Sequence, residues 1–376
     1  MCQLLEIVVN QRGRTHMLGT RIKQGRLAAG LSLRELARTV GLSAMAISKY
    51  ERDQIRPSSE AMLRLAKALS VRTEYFFREP RVALTEVDFR KHSKLSPQDE
   101  GKALEDVREK LERWFELESV IPASWPNAFA VPQGLQDHVA SYDAVEVLAN
   151  QVRTAWQLGT GPIRNLIDKM EEEGIKVILT PHDGGKKFDG LVAKANGHTL
   201  VVVGQDWPGD RQRFTLAHEL GHLVLHGRLA AGLDEERACN RFAGAFLVPR
   251  DEVIRLLGIS RSWLEPRELY LLKHEWGLSM NGWLYRAQDL GIINRSVARR
   301  LWHFFAQQSS DGTTWREQEP CDAYVQECPR RFAQLVYRAL AEDLIGESKA
   351  AELLGLSQVD LRARRRMDAN DAAGCH

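Results

Sequence analysis

Apolar residues recur at helical spacing along most of this chain, and only between residues 175 and 203 do they gather into short Val, Ile and Leu runs. The first helical stripe is Leu18, Ile22, Leu27 and Leu31, closed by Gly30. Ser32-Leu-Arg-Glu35 is a capping box: Ser32 stands at the N-cap and Glu35 three residues on. The helix it starts runs over 33–40 and stops at Gly41. A tight turn, Gly41-Leu42-Ser43, leads to a second short helix at 44–51 with Ser43 as its cap. Leu36, Ala37, Val40, Leu42, Ile47 and Tyr50 supply the interior.

Downstream, Ser96 starts a long amphipathic helix reaching about residue 119, with Leu104, Val107, Leu111, Trp114 and Phe115 on one stripe. That stripe reads as core, with a dimer seam as the alternative. A proline-rich break follows at 121–132. Two helices, about 141–157 and 161–174, precede strands at 175–179, 188–193 and 200–203, and beyond Pro249 the pattern is helical throughout. Near the end, Gly346-Glu-Ser-Lys-Ala-Ala-Glu-Leu-Leu-Gly355-Leu-Ser-Gln-Val-Asp-Leu repeats the cadence helix, glycine turn, Leu-Ser, helix, followed by Arg362, Arg364, Arg365 and Arg366. It reads as a packing module with a basic end. The pattern as a whole predicts an α+β, mostly α chain. An arm (1–16) precedes a helical unit (17–77) and a helical connector (78–135). A unit with a small sheet (136–295) and a helical C-terminal region (296–376) ending in a disordered tail follow. Met17 stands where the pattern begins and is a second candidate start.

Charge sharpens the N-terminal unit. Residues 17–77 hold 11 Lys and Arg against 5 Asp and Glu, a net of +6 (11 − 5), whereas the whole chain is only +2. A helix-turn-helix with that excess fits double-stranded DNA, the second helix entering the major groove. Ala44, Met45 and Ser48 face base edges in this reading, Lys49, Arg52 and Arg56 suit phosphates, and Ser43 and Arg34 complete the DNA-binding set. Two such units pair as a homodimer on a pseudo-palindrome. The five cysteines are scattered and fit neither zinc-ribbon spacing nor a disulfide framework. No run reaches membrane length, and the expected location is cytoplasmic.

The densest chemistry is His218-Glu219-Leu220-Gly221-His222, inside an apolar helical run from Arg213 to His226. Residues four apart share a helix face, so the two imidazoles can bind one Zn²⁺, while Glu219 points elsewhere and suits a general base. A third ligand is expected from the next helix. Glu236 and Asn240 are four apart, which makes Glu236 the carboxylate ligand and Asn240 a partner for a ligand His. Asp234 and Glu235 compete for the ligand role. His226 is rotated off the pair and reads as packing or surface. Tyr285 and Arg286 are candidates for steadying an oxyanion, with packing as the stronger reading.

These residues carry two resemblances. Residues 17–77 resemble the Cro/repressor-type (XRE family) helix-turn-helix in "Gly-Leu-Ser-Leu-Arg-Glu-Leu-Ala…Val-Gly-Leu-Ser…Ile-Ser-Lys-Tyr-Glu". Residues from about 140 to 295 resemble the ImmA/IrrE family of zinc metallopeptidases. The shared features are Phe188-Asp-Gly-Leu, Arg211-Gln-Arg-Phe-Thr-Leu-Ala-His-Glu-Leu-Gly-His and Glu236-x-x-x-Asn240-Arg-Phe-Ala-x-x-Phe-Leu-Val-Pro249. The second resemblance implies a zincin-like fold, zinc held by His218, His222 and Glu236, and Glu219 as catalyst. It further implies a protein substrate, such as a helix-turn-helix repressor, and a bacterial or phage-related source. The expected whole is a DNA-binding regulator with a zinc endopeptidase domain. The alternatives are a metallopeptidase fold acting as a sensor and an antitoxin-like repressor.

Overall fold

The computed structural model describes residues 18–77, 82, 84–85, 97–121, 128–181, 188–306, 314–315 and 318–367. The expected arm, the disordered tail and most of the stretch between the first unit and the long helix lie outside the described residues.

The capping and turn signals become the first unit. Helix α1 (residues 18–28) is followed by α2 (Leu33–Val40), α3 (Ala44–Glu51), α4 (Ser59–Ala68) and a 3₁₀ turn, Thr73–Phe77. The capping box forms in both directions: Ser32 Oγ accepts from Glu35 N–H, and Glu35 Oε2 accepts from Ser32 N–H at 2.7 Å. Gly41 ends α2 at φ 66°, a left-handed conformation that costs glycine little. The helices close over Ile22, Leu36, Ile47, Leu65 and Phe76, all fully buried.

Next come a two-residue strand, β1 (Leu84–Thr85), and the long helix α5 (Pro97–Val120). The α5 stripe is core. Val107 and Leu111 pack on the sheet, and Trp114 and Leu117 pack on the C-terminal helices. Helices α6 (Tyr142–Ala155) and α7 (Leu166–Glu172) precede strands β2 (Ile175–Thr180), β3 (Gly190–Ala195) and β4 (His198–Gly204). The sheet order is β1-β3-β4-β2. β2 runs parallel to β4, while β3 and β4 form a hairpin turning at Asn196-Gly197, both at positive φ. β1 extends the sheet antiparallel to the far end of β3, pairing Leu84 with Ala195 and Thr85 with Lys194. Sequence periodicity gave no sign of so short a strand.

Helices α8 (Gly209–Leu225), α9 (Glu235–Leu247), α10 (Arg250–Leu257), α11 (Pro266–Trp276), α12 (Met280–Asp289) and α13 (Arg295–Phe305) complete the main core, which continues past residue 295 through Val297, Leu301 and Phe305. The stretch 279–286, which carries the oxyanion candidates Tyr285 and Arg286, lies within a helix. It is the start of α12, with Ser279 as N-cap. An all-helical end beyond Pro249 is corrected: residues 318–330 form no helix and strap the main core. Glu327 accepts from Leu166 and Ile167 N–H at the start of α7 (2.7 and 3.0 Å) and pairs with buried Arg213. Glu319 caps α12 through Met280 and Asn281 N–H. Helices α14 (Arg331–Ala341), α15 (Glu347–Leu354) and α16 (Gln358–Arg365) follow and pack on α5. Cys239 and Cys321 are free thiols, whereas Cys328 is disulfide-bonded, which departs from the expectation of thiols alone.

One buried acid makes stability depend on pH. Burial, reinforced by Asp168, pushes Glu171 up to about 8 against the pull of Lys176 and Arg331. The folded state therefore keeps a proton that the unfolded chain releases near pH 4.5. The resulting stabilisation is complete at low pH and is lost as pH rises from there toward 8. Thermal melts should fall between pH 6 and 8.5 in the wild type. The slope should flatten in Glu171→Gln, which cannot ionise; an unchanged slope would refute this assignment.

Candidate metal centre and helix-turn-helix face

Two helices meet to build the centre. On α8, His218 and His222 lie one turn apart and point the same way, with their Nε2 atoms 3.1 Å apart. On α9, Glu236 reaches both rings: its Oε2 is 3.4 Å from His218 Nε2 and its Oε1 is 3.7 Å from His222 Nε2. One ligand atom from each of the three lies within 4.8 Å of the others, and this is the one such group among the described residues. The other ring nitrogens are tied back. His218 Nδ1 is 3.0 Å from Asn240 Oδ1, and His222 Nδ1 is 3.1 Å from Glu235 Oε1.

Those two oxygens accept, which places the imidazole protons on Nδ1 and leaves a lone pair on each Nε2. Two such lone pairs facing each other repel unless a positive centre lies between them. The donor set, two imidazole nitrogens and a carboxylate oxygen, fits a divalent cation held tetrahedrally with one position open. Sequence reasoning set Glu235 down as a rival ligand. Its position orients His222 instead, one residue before Glu236 in the first turn of α9. Asp234 caps α9 through Arg237 N–H and is not in the group. His226 is exposed at the C-terminus of α8.

Glu219 follows His218 on α8, and its carboxylate lies against the start of β3. Burial, then the carboxylates of Glu236 and Asp189, push it up to about 8. The start of β3 lies against it: a Cβ built on Gly190 would stand 3.2 Å from Glu219 Oε1 and 2.6 Å from Thr215 Cγ2. Only glycine lets the strand pass so close. Asp189 and Gly190 were quoted in the sequence for resemblance alone, and their place beside Glu219 was not foreseen. Opposite β4, β3 is paired by β1 at residues 194 and 195 only, so 190–193 present an open edge among the described residues.

The candidate oxyanion donors are engaged elsewhere. Arg286 is buried, its guanidinium on Glu146 and on Val248 O at 2.9 Å. Tyr285 is 60% exposed and packs at a tilt against Trp302 with ring centroids 4.5 Å apart. Packing, the stronger sequence reading, is what their contacts describe.

In the first unit, Ser43 Oγ caps α3 by accepting from Ala46 N–H at 3.1 Å. Ala44 is half-buried against the core. Met45 is 69% exposed at the head of α3. Ser48 accepts from Arg52 at 2.7 Å, and Arg34, Lys49 and Arg52 are all exposed. These side chains share the outer side of α3 and the adjoining turn of α2.

Comparison with known proteins agrees with both halves. Residues 22–76 match the family model for a helix-turn-helix, and residues 170–288 match that for the IrrE N-terminal-like domain of the M78 peptidases. A curated relative, a transcriptional regulator in the ATPase CF(0) region of Rhodospirillum rubrum, is 43% identical over 60 residues. The match spans 16% of this chain and 56% of that protein, so the chain spans about half the length of that relative. Among solved structures, Bacillus thuringiensis PlcR in complex with a peptide and DNA covers 95% of this chain and 100% of its own. At 11% identity and a TM-score of 0.17, it carries no argument. No described helix is long and apolar enough to cross a membrane. The chain thus joins an XRE-type helix-turn-helix at 22–76 to an IrrE/ImmA-like domain of the M78 peptidase family at 170–288.

Proposed function

We propose that this protein is a DNA-binding regulator whose second half is a zinc-dependent endopeptidase acting on a regulatory protein. The observation that carries the reading is the convergence of His218, His222 and Glu236, each imidazole fixed by Asn240 or Glu235, around a point beside buried Glu219. These three side chains would hold Zn²⁺. Bound there, zinc supplies a Lewis acid that polarises a peptide carbonyl and acidifies water. Glu219 takes a proton from the attacking water and delivers it to the departing amide nitrogen. An extended substrate adds to the open edge of β3 at 190–193, which leads its backbone toward Glu219. Extended chain can enter there and a packed helix cannot.

The helix-turn-helix addresses the enzyme to DNA. Met45, Ala44 and Ser48 face base edges with no bidentate reader among them, and Arg34, Lys49 and Arg52 take phosphates. Cro-type units cover half a site, which favours a homodimer on DNA and a cytoplasmic protein of bacterial or phage-related origin. The favoured substrate is a separate protein, such as another repressor of this type, because a chain that cut its own connector would not persist. The sensor and antitoxin-like readings have no observation of their own in their favour.

Purified protein should hold about one zinc per chain, the capacity of one three-ligand site. His218→Ala and His222→Ala should lose it, while Glu219→Gln keeps the metal and loses peptide cleavage by ~10²- to 10⁴-fold. Metal analysis that finds no zinc in the wild type would sink the reading, and full regulatory function in Glu219→Gln would favour a sensor.

On DNA, Lys49→Ala and Arg52→Ala should weaken binding to every sequence, each reducing the salt slope by about 1. Changes at Met45 or Ser48 should shift sequence preference instead. Gel shifts with equal losses on all duplexes for both groups would contradict the assignment.

Mass spectrometry of termini after incubating wild type and Glu219→Gln with zinc separates the substrates. New N-termini between 78 and 135 in the wild type alone would show self-cleavage and overturn the preference for a separate protein.

A further inference from the structure

The C-terminal helices repeat the first unit position for position. In each, an eight-residue helix (α2 or α15) ends at a left-handed glycine, Gly41 at φ 66°, ψ 39° and Gly355 at φ 67°, ψ 27°. The next residue is leucine. Leu42 N–H donates to Ala37 O and Leu356 N–H to Ala351 O, both at 2.9 Å. Then comes a serine N-cap, Ser43 or Ser357, each accepting from the backbone three residues on at 3.1 Å. A second eight-residue helix follows, α3 or α16. The inward residue of that helix is fully buried in both units, Ile47 and Leu361. The second residue is a large apolar side chain turned to solvent in both, Met45 at 69% and Val359 at 75% exposure.

Packing explains only part of this module. Leu335, Val336, Ala351, Leu353 and Leu361 close it against Trp114 and Leu117 of α5. That contact does not use the outer side of α16, where Gln358, Val359, Arg362, Arg365 and Arg366 are exposed. Arg362 and Arg365 rest on Glu347 at the head of α15. Such exposed pairs are readily exchanged for a phosphate. In the register of the first unit, Gln358 and Val359 replace Ala44 and Met45, Arg362 replaces Ser48, and Arg366 replaces Arg52.

We propose that α15, its turn and α16 form a second DNA-reading unit, with Gln358, Val359 and Arg362 toward base edges and Arg365 and Arg366 on phosphates. Gln suits adenine, the valine methyls suit thymine and Arg suits guanine, a stronger reading set than α3 offers. A protein partner is the competing use of this face.

The test uses full-length protein carrying Lys49→Ala and Arg52→Ala, so the first unit's contribution is already weakened and its failure is read separately. Fluorescence anisotropy follows a random-sequence duplex of about 40 base pairs, four helical turns. Adding Arg365→Ala and Arg366→Ala should lower affinity and flatten the salt slope by about 2. The charge-matched pair Arg255→Ala and Arg267→Ala, exposed on α10 and α11, should change neither. Arg365→Lys and Arg366→Lys should restore the slope. Equal affinity and slope for the α16 and control pairs, with unchanged thermal melts, would overturn the proposal and leave the face to a protein.

Discussion

The close crossing of α8 and α9 is the constraint on which the metal centre depends. Neither helix can supply the donor set alone: α8 carries two imidazoles on one face, and the carboxylate must come from a neighbour at ligand distance. Gly221 sits at the contact, where an added Cβ would meet Phe242 Cδ1 at 3.2 Å and Cys239 Cα at 3.3 Å. A side chain there would make these neighbours on α9 give way to keep the crossing. Phe242, stacked on Phe246, and Cys239 are fully buried at that contact. The glycine between the two histidine positions is therefore a packing requirement of the centre as much as part of a motif.

Around that crossing, long-range ion pairs hold the surrounding helices in register. Glu146 of α6 receives Arg286 of α12 and Arg241 of α9, tying three helices at one buried carboxylate. Arg213, at the start of the run that carries the histidines, is held by Glu327 from the C-terminal strap. Burying charges is costly unless each is matched, and breaking such a pair leaves an uncompensated charge inside. The strap is thus part of the framework of the M78-like half despite lying far along the chain from the helix it braces. α5 plays a comparable part on the other side: Arg21 of α1 pairs with its Glu112, and its Trp114 lies in the C-terminal cluster.

How much was legible follows from how local each signal is. The capping box, the Gly41 turn and the Ser43 cap are decided within a few residues, so they could be read and they form as read. The histidine pair and Glu236 were legible because helical spacing fixes which side chains share a face. What escaped was set by distant partners. Glu235 looked like a rival ligand, because only the three-dimensional crossing decides which of two adjacent acids faces the lone pairs. Residues 318–330 carry apolar and polar residues without period, and their meaning lies in the groups they satisfy elsewhere. β1 has two residues, too few for any periodicity, and exists only because β3 offers it an edge.

That short strand also makes the open edge of β3 finite. A peptide laid along the edge from Gly190 has the backbone groups of four residues before it reaches Lys194 and Ala195, where Thr85 and Leu84 are already paired. A longer insertion has to peel β1 away, and β1 is the first described strand after the DNA-reading unit. The length of extended chain that the edge can take is therefore set by two residues from outside the 170–288 domain, so the rim of the sheet beside Glu219 is completed from the helix-turn-helix side of the sequence.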